Sequence, residues 1–112
     1  MTYTDLSTTV KPTPTAATAE ACMVKAIREI NLRLKRFNQE LPQMTGVSGS
    51  MTVNLDDAEI GAVVRVATSI YYRDVIGPIN PSVGGVSYSV ARVDDMADEA
   101  AAQLKEIDVS RG

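Results

Sequence analysis

The chain has no histidine, and Cys22 is its only cysteine among 112 residues. Without histidine there is no imidazole for general acid–base work near neutral pH. With one thiol there is no intrachain disulfide and no Cys/His metal cage. Cys22 sits beside Met23 in a helical pattern and reads as a small packed hydrophobe rather than a nucleophile. An excess of positive charge is also missing: the net charge is −3, which excludes a uniformly basic nucleic-acid binder and leaves only local patches. The first twenty residues, MTYTDLSTTVKPTPTAATAE, have neither the basic start nor the apolar stretch of a signal peptide. No apolar run approaches the length of a membrane span. The expectation is a soluble protein that acts where it is made.

What is present suits one globular domain with a single modest core: 45% hydrophobic and 22% charged residues in a chain of this length. Residues 1–15 are Thr-rich, with Pro12 and Pro14, and offer little from which to build a core; they are expected to form a flexible arm ahead of a single helical domain, 16–112. From about Thr15 to Phe37 the apolar residues Met23, Ile27, Ile30, Leu34, Phe37 and Leu41 step by four and three, which predicts a long helix closed by Pro42. Its other faces carry Lys25, Arg28, Arg33, Lys35 and Arg36 against only Glu29, a solvated basic face or a contact for an acidic partner. TGVSGSMTV (45–53) alternates weakly and suggests a short strand over 47–53.

A second helix is predicted to start near Asn54 or Asp56, where Asp56 and Glu59 have capping-box spacing. Its stripe is Ile60, Val63, Val64, Ala67, Ile70 and Tyr71, and it ends near Ile76 with Gly77 as C-cap before Pro78. GPINPSVGG then leads to VSYSV (86–90), which alternates as a strand. Asp94 or Asp95 caps a last helix to about Ile107, with the small-sided stripe Ala97, Ala100, Ala101, Leu104 and Ile107. Six acidic residues and one lysine fall between Asp94 and Asp108, so a basic first helix is matched by an acidic last one. The fold class expected is mainly α: a small bundle of about three helices with one or two short strands in its connections.

No catalytic, cofactor or metal constellation emerges. Asp56, Asp57 and Glu59 read as helix-start acids. Asp94, Asp95, Asp98 and Glu99 lack the spacing and glycine of a calcium loop, and PSVGG lacks the lysine of a phosphate loop. Tyr71, Tyr72 and Arg73 suit packing at a helix end better than stacking on bases. An enzyme is not expected.

The order of pieces resembles the head-to-tail connector, or adaptor, proteins of long-tailed bacteriophages. AVVRVATSIYYRDVI (62–76) is similar to that family's second core helix, and GGVSYSVARVDDMADEAAAQLKEI (84–107) to its carboxy-terminal strand and helix. The resemblance implies a structural ring, typically of twelve copies, placed in the phage neck and assembled in the host cytoplasm. Such a ring sits beneath the portal, extends the DNA channel without sequence-specific binding, and offers a platform to a stopper or tail-completion protein. The expected subunit or portal interface combines Lys25, Arg28, Arg33 and Arg36 with Asp98 and Glu99. It also includes Val86, Ser87, Tyr88, Ser89 and Val90, whose edge a neighbour's strand would complete. The alternative is a small helical DNA-binding or regulatory module using helix 23–37 as its basic surface.

Overall fold

The computed structural model describes residues 1–77 and 93–111, with the side chains of the last helix described as far as Leu104. The fold is mainly α. A single turn, α1 (Thr4–Ser7), precedes α2 (Ala16–Leu34), which tightens into a 3₁₀ turn over Lys35–Phe37; α3 is Asp57–Tyr71, widening into a π-helical turn over Tyr72–Ile76, and α4 is Val93–Arg111. Helices α2, α3 and α4 pack mutually around one core.

Helix α2 starts where Thr15, in extended conformation, accepts a bond from the Thr18 amide through its hydroxyl. It buries Met23, Ile27, Ile30 and Leu34 as the spacing predicts, and Cys22 beside them. Burial pushes the Cys22 thiol above its ordinary pKa, which suits a packing role. The helix ends at Asn38, whose left-handed backbone (φ 57°) turns the chain back. Helix α3 has the expected capping box: the Asp56 carboxylate accepts from the Glu59 amide at 2.8 Å, and Glu59 accepts from the Asp56 amide at 2.9 Å. The small-sided stripe of α4 is buried at Ala97, Ala100, Ala101 and Leu104, and lets this helix lie against both α2 and α3.

Two expectations are corrected. Residues 1–15 contribute to the core: Leu6 on the turn of α1 and Val10, four residues on and just beyond it, are fully buried. The backbone of Met1 exchanges bonds with Val53, and the Tyr71 hydroxyl donates to the Pro12 carbonyl. Two apolar side chains in a Thr-rich stretch give little periodic signal, yet they suffice because α3 supplies the polar anchor.

The strand expected over 47–53 is a tight loop instead. Gly46 (φ 114°) and Gly49 (φ 94°) fold it, Ser50 bonds back to Val47, and only an isolated antiparallel bridge joins Thr45 to Thr52. No strand occurs among the described residues; the one expected over 86–90 lies outside them. Gly77 does occupy the C-cap position, but in right-handed conformation (φ −55°), because its amide bonds to the Tyr72 carbonyl five residues back in the π turn.

Candidate protein-docking surface

After Asn38 the chain runs back along α2 as a return segment, 38–51, fastened at both ends. Near its start, the Asn31 side chain donates to the Leu41 carbonyl at 3.0 Å and accepts from the Leu41 amide at 2.8 Å. Near its end, Glu20, only 2% exposed, accepts from the Gly49 amide at 2.7 Å and from the Met51 amide at 2.9 Å, one through each carboxylate oxygen. Both anchors are charge-assisted or paired bonds, so the segment is held in place rather than merely draped.

Between helix and return segment lie two adjoining depressions that share Arg28. The larger, about 710 Å³, is lined by Arg28, Leu32 and Lys35 from α2 and by Gln39, Glu40 and Gln43 from the return. The smaller, about 340 Å³, lies between Val24 and Arg28 on one side and Ser48 and Met51 on the other. Leu32 (69% exposed) and Val47 (73%) are the large apolar side chains left in water among the described residues. Leu32 lines the larger depression, and Val47 lies in the loop that Glu20 holds, next to Ser48 in the wall of the smaller one.

The charges first assigned to an interface are divided by the fold. Arg33 lies under α4, not on a free face: its Nε donates to Asp98 at 2.6 Å and its Nη2 to Asp94 at 3.2 Å. Its Nη1 donates to the Glu29 carbonyl at 2.9 Å. Basic α2 and acidic α4 thus meet within one chain at Arg33 and Asp98, which answers the complementarity read from the sequence with an internal contact. Lys25 pairs with Asp74 at 3.4 Å. The Arg36 guanidinium stands 5.1 Å from the centre of the Phe37 ring. Arg28, Lys35, Asp95 and Glu99 are exposed and make no ion pair among the described residues. Val86, Ser87, Tyr88, Ser89 and Val90 lie outside those residues.

Tyr71 is buried, Tyr72 is half-buried with its hydroxyl accepting from the Lys11 amide, and Arg73 is paired with Asp74 at 2.6 Å. The Arg73 guanidinium holds the Asp74 carboxyl below its ordinary pKa despite partial burial, and Lys25 adds to the effect. A lowered folded-state value means that the stabilisation is present above the ordinary aspartate range and is lost as pH falls through the lower value. A carboxyl NMR titration should place the Asp74 midpoint below that range, and Arg73→Ala should move it upward more than Lys25→Ala does. Identical midpoints in all three proteins would contradict the arrangement.

Glu20 and Asn31 were not singled out from the sequence. Glu20 nevertheless leaves a signal: it extends the 23, 27, 30, 34 stripe backwards by one step, placing a carboxylate on the buried line. Among the described residues no group of His, Cys, Asp and Glu side chains is placed to hold a metal ion, and no helix is long and apolar enough to cross a membrane. No protein-family model matches the chain, and no curated protein or solved structure matches it.

Proposed function

We propose that the chain is a structural assembly protein of the phage head-to-tail adaptor kind, one subunit of a ring that docks on a portal and carries a stopper or tail. The resemblance of segments 62–76 and 84–107 supplies this reading. The observation that supports it best is the braced flank of α2, where Leu32 stands in water near Arg28 and Lys35, which make no ion pair among the described residues, and Val47 is exposed on the fastened return segment. Apolar side chains held out by a fastened backbone suit a preformed protein contact, because little ordering is left to be done on binding. The work is mechanical, and DNA passes the ring without being read.

The test is co-expression with the portal protein of the same genome, followed by mass measurement of the purified portal particle. The expected result is an added mass that is a whole number of 12.0 kDa subunits, equal to the portal's own copy number or in simple ratio to it. A portal of unchanged mass overturns the reading. Duplex DNA is a weaker occupant of the same flank, since Arg33 and Lys25 are engaged by carboxylates and Glu40 stands in the groove wall. Binding to duplex that fades steeply with salt, without portal binding, would favour that alternative.

A further inference from the structure

The fold sorts the charges of α2 and α4 into those that meet inside the chain and those that remain outside. On α2, Arg33 is taken by Asp94 and Asp98, and Lys25 by Asp74. Arg28, Leu32 and Lys35, the last in the 3₁₀ turn that follows, are exposed, spaced by four and three residues on one line about 10 Å long. Arg36 is exposed beside the Phe37 ring. On α4, Asp94 and Asp98 turn to Arg33, and the described residues Asp95, Glu99 and Ala102 are exposed, spaced by four and three on a line of equal length. One line is cationic around an exposed leucine. The other is anionic and ends on an exposed alanine, whose single methyl leaves room for a larger side chain.

We propose that the Arg28–Leu32–Lys35 line of one copy seats the Asp95–Glu99–Ala102 line of α4 from a second copy. The proposal rests on the ring reading above and names the two surfaces that would join its subunits. With Leu32 against Ala102, Glu99 meets the cation one turn away in either direction of approach: Lys35 if the helices run antiparallel, Arg28 if they run parallel. Asp95 lies beyond the end of the cationic line and adds to the attraction only at longer range. The groove beside Leu32, about 710 Å³, gives the incoming helix a recess rather than a flat wall. The two lines differ, so the contact is heterologous. Each copy has one of each, and association continues from copy to copy until the rotation closes.

Nucleic acid fits this arrangement less well. It has no use for the acidic line, and Glu40 in the groove wall repels a continuous polyanion.

A single contact of this kind is weak, because exposed ion pairs contribute little and are screened by salt. The test therefore uses the isolated protein at high concentration and low salt, without portal, so that its failure is separable from failure of the portal measurement. Sedimentation velocity of the parent should show association that rises with concentration and falls as salt is added. The variants R28E/K35E and D95K/E99K should each associate at least about tenfold more weakly. Mixed in equal amounts they should recover the parent's behaviour, because each then offers the line complementary to the other's. All four positions are exposed, so circular dichroism and urea midpoints should match the parent. If one variant fails that check, Leu32→Ser replaces it and should weaken association in the same way. A parent that stays monomeric, variants that associate like the parent, or a mixture of folded variants that does not recover overturns the proposal.

Discussion

Replacing Glu20 by alanine is expected to cost about 2–3 kcal/mol of folding stability, although Glu20 makes no ion pair among the described residues. Each carboxylate oxygen accepts one loop amide, Gly49 at 2.7 Å and Met51 at 2.9 Å. Hydrogen bonds to charged groups contribute roughly 1.5–3 kcal/mol each. The sum is reduced because Gly49 and Met51 are only half-buried, so water reaches the amides once the carboxylate is gone. Glutamine keeps the shape but not the function, since its NH₂ group faces an amide with a donor where an acceptor is needed. Both variants should therefore lose stability, and hydrogen exchange should accelerate at Gly49 and Met51 while the amides of α3 stay protected. Urea midpoints equal to the parent's, with unchanged exchange at those two amides, would show that the loop holds its shape without Glu20.

The second large effect is expected from filling the seam under α4. Ala97 and Ala100 are fully buried where this helix lies against α2 and α3. Ala100→Leu adds three carbons at a fully buried position. Overpacking of this sort costs roughly 1–3 kcal/mol, and the upper end is expected here because the helix is confined from two sides. Relief comes most easily by moving α4 away, which separates Arg33 from Asp94 and Asp98 as well. The measurable sign is a lower urea midpoint together with loss of the contact between α4 and Arg33, seen as NMR shift changes at Arg33 Nε. Ala102→Leu is the control: that position is exposed, and stability should change by no more than about 0.5 kcal/mol. Equal stability of Ala100→Leu and the parent would mean that α4 is loosely held.

These two sites differ in how plainly the sequence announces them. The alanine stripe of α4 repeats at helical spacing and is legible, as are the stripe of α2 and the capping box at Asp56 and Glu59. Local patterns of this kind depend on residues a few positions apart, and the fold leaves them as they stand. The docking flank is less legible because it depends on where a loop goes. Nothing around Gly46 and Gly49 says that their turn will bring the amides of 49 and 51 to Glu20, and the alternation Val47, Gly49, Met51, Val53 reads equally well as a strand. Net helix charge misleads in a similar way. The count of basic and acidic residues is right, but only packing decides that Arg33 and Asp98 face each other within the chain while Arg28 and Glu99 do not. Leu6 and Val10 show the converse: a stretch with almost no pattern is held because Tyr71, far along the chain, bonds to Pro12.

The π turn at Tyr72–Ile76 is equivalent to one residue inserted into an otherwise continuous helix. Each helical residue advances the chain by about 100° around the axis, so Gly77 stands about 100° around from where an unbroken α-helix would place it. A chain shortened by one residue in that turn would keep α3 and its buried stripe while rotating Gly77 about the helix axis. The angular position of Gly77 is therefore a property that a one-residue length change can reset, at the cost of contacts that Tyr72, Val75 and Ile76 make with the core.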